Sequence, residues 1–371
     1  MPARRARQVA PPQRLLVVTP TWLGDVVMAT PTLRALRELY PQAHIAGLIR
    51  DNVQPILAGC PWLDEIIHFN PNQGDQRPLR LARQLALQRF DMAVLLPNSF
   101  RAALAVALAR IPRRVGYDRD GRGLLLTDRL LPRRGRQGYV PTPTREYYLG
   151  LARYLGTTAV DPAMHLAVTP DETAAGDALL RAAGHNPQAS DRPLVLLNPG
   201  ANFGDAKMWP PARFAAVGDR CVRERDAVVA VTAAPNEREI VDKLLAAAET
   251  PLLDLAAHGL NLHSLKAVIR RASLVVTNDT GPRHVAAALG TPVVTLFGPT
   301  DPRWTTLGFA RERIARVDLW CSPCQKKQCP LAGTPDELQC MHQVTPDMVF
   351  AHVAELLKIR NHRDTEAQKR S

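Results

Sequence analysis

Three groups of residues have the types and spacing to do chemistry, each where an apolar run gives way to a polar loop. The stretch VVTNDTGPRHVAAALGTPVVTLFGPT (275–300) breaks at Asn278-Asp279-Thr280-Gly281 and resumes as a helical segment with His284 just inside it. A helix N-terminus offers unpaired amides and partial positive charge, which suits a phosphate. Gly281 would allow close approach, Pro282 fits the first helical position, and His284 would add a donor. The same residues suit equally a plain capped helix, with Asp279 and Thr280 satisfying only their own backbone. A second loop, PGANFGDAKMWP (199–210), carries Lys207 as a compact charge for phosphate, with Ala201 and Asn202 placed to offer backbone or side-chain groups. The third, TPTWLGDVVMATP (19–31), puts Gly24 and Asp25 at a strand-to-helix corner. G-x-G-x-x-G is missing, so a dinucleotide loop is poorly supported. Asp25 either caps its helix or faces a cleft and takes a proton from an attacking hydroxyl, as a general base must.

Two further clusters stand apart. Between Arg113 and Arg145 lie nine arginines, among them Arg113, Arg114, Arg119 and Arg122. Guanidinium forks match phosphate oxygens, so the density favours an anionic partner over a merely solvated face. RNA would serve on charge alone, but no helix-turn-helix, zinc-finger or RNP signature is present and no nucleic acid is expected. Cys321, Cys324, Cys329 and Cys340 fall within twenty residues, with one C-x-x-C pair and irregular spacing after it. They are candidates for a structural zinc site pinning a loop with little core of its own; free buried thiols or a redox pair are the alternatives. Four thiolates would fill the shell, which argues against a catalytic ion.

The elements that must position these residues are legible as an alternation. LLVV, HIAGLI, EIIHF and MAVLLP are separated by helical segments, and LVLLN, AVVAVTA, SLVVTN and PVVTLFG repeat the pattern after a pause between residues 161 and 193. Strands alternating with helices predict a parallel sheet covered on both faces. The expected architecture is α/β: a disordered basic leader over 1–13, one doubly wound domain over 14–170, a second over 171–345 facing the first across a cleft, and a final helix with its tail over 346–371 packing back on the first domain. In 371 residues with 46% hydrophobic content there is ample material for two cores. A formal charge of +12 favours nucleic acid, an anionic membrane surface or a phosphorylated substrate. No apolar run approaches the roughly 20 residues that cross a bilayer, and the leader lacks the apolar core of a signal peptide. A cytoplasmic location is therefore expected.

Taken together, GDVVMATPTLRALRELYP, LLPNSFRAALAVALARIPRRVGY, LNPGANFGDAKMWP and VVTNDTGPRHVAAALGTPVVTLFGPTDP resemble the glycosyltransferases of family 9 that add heptose to the lipopolysaccharide inner core. LPNSF and PGANFG-x-AK-x-WP are most similar to the type II enzymes, which add the second heptose. The resemblance implies a GT-B architecture of two Rossmann-like domains, an ADP-heptose donor in the second and a lipid A–Kdo–heptose acceptor in the first. It also implies inversion at the anomeric carbon, no cofactor required for catalysis, and a peripheral station on the inner face of the cytoplasmic membrane. Asp25 then matches the general base and Lys207 the donor-phosphate contact. Ala201, Asn202, Asp279, Thr280, Gly281 and His284 match the donor grip, and Gly24, Asn98, Ser99, Arg113, Arg114, Arg119 and Arg122 would face the acceptor. After AVVAVTA the family often has a glycine and an acidic residue, whereas Ala233-Ala234-Pro235-Asn236-Glu237 leaves Glu237 as the candidate. Transfer at another core step, or a nucleotide- and nucleic-acid-binding protein without catalysis, are the rival readings.

Overall fold

The computed structural model describes residues 10–69, 78–136, 138–158, 161–201 and 204–368, with side chains in the last stretch up to 358. Most of the expected leader and the donor-loop residue Asn202 therefore lie outside the described residues. The chain divides into two compact units, one running to Ala167 and including Arg303–Thr306, the other comprising Val168–Pro302 and the residues from Leu307 onward.

In the first unit the apolar runs form β1 (Arg14–Val18), β2 (His44–Arg50), β3 (Glu65–Phe69), β4 (Met92–Leu95), β5 (Arg113–Tyr117) and β6 (Asp128–Leu130), in spatial order β3-β2-β1-β4-β5-β6. All five pairings are parallel, with Val18 opposite Leu95 at the central step. Helices α1 (Leu23–Leu39), α2 (Pro78–Leu87) and α3 (Phe100–Leu108) connect strands; a two-residue pair, β7 (Arg134–Gly135) and β8 (Gly138–Tyr139), precedes α4 (Thr144–Leu155). Leu16, Val18, Leu85, Phe90, Leu95 and Val106 are among the buried side chains of this core, which explains strands apolar on both faces.

The second unit repeats the plan. After α5 (Pro170–Ala182) come β9 (Leu194–Asn198), α6 (Pro211–Arg225), β10 (Val228–Val231), α7 (Arg238–Ala247), β11 (Leu253–Asp254), α8 (Leu262–Arg271), β12 (Leu274–Asn278), α9 (Gly281–Leu289), β13 (Val293–Leu296) and β14 (Glu312–Ala315), while α10 (Pro302–Thr305), between β13 and β14 in the chain, belongs to the first unit in all but its first residue. Their order is β11-β10-β9-β12-β13-β14, again parallel throughout. In both sheets the winding reverses beside the first strand, between β1 and β4 and between β9 and β12. That reversal opens the crevice at the carboxyl ends of strands where ligands of such sheets collect.

Helix α12 (Pro346–Gln368) follows the short α11 (Gln339–His342) and packs against α6 and the second sheet. It is counted with the second unit. Val349, Phe350, Val353, Leu356 and Leu357 are buried in the cluster that holds Trp209, Phe214 and Cys221, so its apolar side chains complete the core of their own unit.

Candidate active site

Both loops leaving the second sheet's reversal converge on Asp279. β12 ends at Asn278, whose side-chain amide donates to Pro199 O at 2.7 Å and Gly200 O at 3.3 Å and so ties the two loops together. Lys207 reaches across from the first loop: its Nζ donates to Asp279 Oδ2 at 2.8 Å and to Asp279 O at 3.0 Å. Arg283 Nη1 donates to Asp279 Oδ1 at 3.2 Å and Thr300 Oγ1 to Asp279 Oδ2 at 2.9 Å. Behind them Arg283 Nε donates to Glu312 Oε1 at 2.7 Å. All five residues are buried or nearly so.

Burial by itself would push the Asp279 carboxyl up, but the charges of Lys207 and Arg283 outweigh it and hold it at about 2. Burial, with the Arg283 charge beside it, drives His284 down to about 3, so the imidazole is neutral. Its Nδ1 is buried with no hydrogen-bond partner among the described residues. Lys207, Arg283, Asp279 and Glu312 thus form two cations matched by two anions around a neutral histidine, each buried charge having a counter-charge.

The plain capped-helix alternative does not describe α9. Thr280 is its N-cap residue but makes no side-chain cap bond; its hydroxyl meets Thr277 Oγ1 at 3.2 Å instead, and Gly281 opens the helix. Asp279 is occupied with Lys207, Arg283 and Thr300 rather than with capping. Glu237 lies against the loop after β9: it accepts from Ala234 N at 2.9 Å, and a Cβ on Gly200 would stand 2.1 Å from its carboxylate. Ala201 follows directly and is half-buried. Gly204, at φ 152°, passes so close to Lys327 that an added Cβ would lie 2.4 Å from its carbonyl oxygen, a position only glycine fills.

In the first unit, Asp25 sits in the opening turn of α1, one residue after Gly24, and lines a pocket of about 220 Å³ with Asn98, Arg119, Arg133, Tyr139, Thr142, Thr144, Tyr147, Tyr148 and Trp304. Tyr148 is buried and its hydroxyl donates to Asp25 Oδ1 at 3.3 Å. Burial and then the Asp25 charge raise its phenol well above the ordinary range, so it stays a donor. Tyr147 stacks on Tyr117 at 3.8 Å and donates to Asn98 Oδ1 at 2.9 Å, while Arg119 lies 4.2 Å over the Tyr139 ring.

Not every expected acceptor residue lines this pocket. Arg113 pairs with Asp128 at 3.1 Å, Arg114 donates to the carbonyls of Leu125 and Ile111, and Ser99 caps α3 through Ala102 N. Arg122 is fully buried, donating to Tyr117 O at 2.9 Å, Pro97 O and Asn98 Oδ1. None of these four lines the pocket; Arg122 bears on it through Asn98. Of the named arginines Arg119 lines the pocket, and Arg133 joins it. The tyrosines lining it, Thr142, Thr144 and Trp304 were not singled out from the sequence, nor were Arg283 and Glu312 in the other unit. The adjacent pair Tyr147-Tyr148 in a helix N-terminal turn was the one available cue.

The four clustered cysteines are all free and line a single cavity of about 20 Å³. Burial and then the neighbouring Cys321, Cys324 and Cys329 push the Cys340 thiol up to about 11. Among the described residues no group of three or more His, Cys, Asp or Glu stands ready to hold a metal ion. No helix among them is long and apolar enough to cross a membrane.

Comparison with known proteins places these features. Residues 78–334 match glycosyltransferase family 9 (heptosyltransferase). Lipopolysaccharide heptosyltransferase 2 of Salmonella typhimurium is 31% identical over 93% of this chain and 98% of its own. The Escherichia coli protein of the same name is 32% identical over 82% and 88%. The solved ADP-heptose lipopolysaccharide heptosyltransferase II of E. coli superimposes with TM-score 0.75 at 28% identity, covering 94% of this chain and 99% of that one. E. coli WaaC with ADP shares the fold at TM-score 0.65 and 17% identity, over 92% and 99% of the two chains. The GT-B fold inferred from the motifs is the fold of this chain, which belongs to glycosyltransferase family 9.

Proposed function

We propose that this chain is the heptosyltransferase that moves heptose from ADP-heptose onto the heptose of the lipopolysaccharide inner core, with inversion. What carries this reading is the near full-length identity to proteins named lipopolysaccharide heptosyltransferase 2. The geometry of each half gives it a mechanism. ADP departs with growing negative charge, which Lys207 and the opening amides of α9 stabilise without reorganising, because Asp279, itself held by Arg283, already fixes the lysine in place. Neutral His284 contributes a hydrogen bond rather than a charge. The acceptor's phosphate and sugar groups meet Arg119, Arg133 and the tyrosines in the first unit, where Asp25 accepts the proton of the attacking hydroxyl. The basic surface keeps the protein at the anionic inner face of the cytoplasmic membrane.

Incubation with ADP-heptose and defined core acceptors, read by mass spectrometry, tests the reading. A product heavier by one heptose on the monoheptosylated acceptor is expected. Transfer only to heptose-free acceptor, or to a more extended core, would reassign the step.

A further inference from the structure

We infer that Cys321, Cys324, Cys329 and Cys340 bind one soft metal ion, zinc or iron, in a tetrathiolate site that stiffens the loops around Lys207 and Thr300. From 316 to 338 the chain has no strand or α-helix, and its largest side chain, Trp320, is 80% exposed. Such a stretch buries too little apolar surface to fix itself. The four cysteines nevertheless all reach one cavity, closed off by Ala206, Pro299, Pro330, Leu331 and Leu338 among others. Its volume of about 20 Å³ is that of an ion or a single water rather than an organic ligand. Sulfur donors alone select zinc or iron over the hard cations. Leu338 N donates to Cys329 Sγ at 3.4 Å, the kind of outer bond that orients a metal thiolate. Lys326 and Lys327, between the second and third cysteines, offset the surplus negative charge of four thiolates.

Because no ligand group stands ready as the side chains lie, binding must turn the thiols inward between staggered rotamers. Each ligating thiol releases its proton to solvent, and no electron is transferred. The shell is then full, so the ion is structural. Its reach follows from its neighbours. Ala206 N donates to Lys327 O at 3.2 Å and is followed by Lys207. Gln325 N donates to Pro299 O at 2.7 Å, and Ser322 Oγ to Gly298 O at 2.6 Å, just ahead of Thr300, whose hydroxyl holds Asp279. The ion would thus brace both loops that fix Asp279.

The metal claim stands apart from the donor reading; only its effect on ADP rests on that reading. The test is elemental analysis of the full-length, tag-free chain purified under reducing conditions without added metal. About one zinc or iron per chain is expected, iron being told from zinc by its visible thiolate absorption, and cobalt should replace either with a thiolate charge-transfer band. Cys324→Ser and Cys329→Ser should lose the ion, melt about 5 °C or more lower, and bind ADP about fivefold more weakly. Wild-type protein without metal that takes up no cobalt, full metal content in both variants, or cysteines paired as disulfides would each overturn the site. Unchanged ADP affinity after metal removal would overturn the bracing. Wild-type protein that binds no ADP at all would sink the donor reading and leave the metal result standing.

Discussion

Asp279 accepts from Lys207, Arg283 and Thr300 at once, and that convergence makes Lys207 a fixed rather than a mobile cation. Lys207→Met should lower turnover on the order of 100-fold, and also lower the urea midpoint, because a buried carboxylate loses a counter-charge. The neighbouring histidine gives a pH signature. His284 titrates at about 3 against an ordinary 6.5, so as the pH falls the unfolded chain takes up the proton first. Its contribution is therefore full above 6.5 and drains as the pH drops toward 3. Urea unfolding at about pH 7 and about pH 4.5 should show a smaller loss for His284→Gln than for the wild type. In the other unit Tyr148 donates to Asp25, and on the proposed mechanism it acts on the reaction through that carboxylate. Tyr148→Phe keeps the ring and removes the donor, so kcat should fall about tenfold with KM unchanged. The acidic limb of the pH–rate profile should move to higher pH, since the carboxylate loses a stabilising bond; an unchanged profile would reduce Tyr148 to packing. Residue types at strand ends marked Asp25, Lys207 and Asp279 from the sequence. Most of their partners were not legible: Thr300 meets Asp279 across 21 residues and Glu312 meets Arg283 across 29, by side-chain contacts that no local pattern records, whereas Arg283 stands at the i,i+4 spacing from Asp279.

Strand ends next to the winding reversal carry the candidate residues in each unit, and glycines let the loops there close. Gly204→Ala must relieve both a φ of 152° and a 2.4 Å approach to Lys327 O. ADP affinity, measured by calorimetry, should fall with it; an unaltered affinity would show that this turn does not set the donor loop. The period of the apolar runs made β1, β4, β9 and β12 readable, since strands buried on both faces have few alternatives. The destination of α12 was not readable. Its apolar residues state that it is buried, not against what, and only the core around Trp209 and Phe214 answers that. Phe350→Ala, at a side chain 3% exposed, should cost about 3 kcal/mol in urea unfolding. A loss below about 1 kcal/mol would mean that the helix is peripheral to the core.

The whole chain joins two units of one plan, to which the proposed function gives opposite tasks. One presents a carboxylate in a pocket walled by tyrosine and arginine, the other a lysine locked at a helix N-terminus. A charge of +12 suits anionic donor and acceptor alike and, by itself, chose neither. The division of labour is the central claim, and heptose transfer by Asp25→Asn alongside its ADP affinity tests it most directly. With ADP-heptose and a monoheptosylated acceptor, followed by mass spectrometry, the wild type should add one heptose. Asp25→Asn should lose activity on the order of 1000-fold while its calorimetric ADP affinity stays within about threefold. Wild-type turnover in the variant, or a collapse of ADP binding with it, would contradict the account.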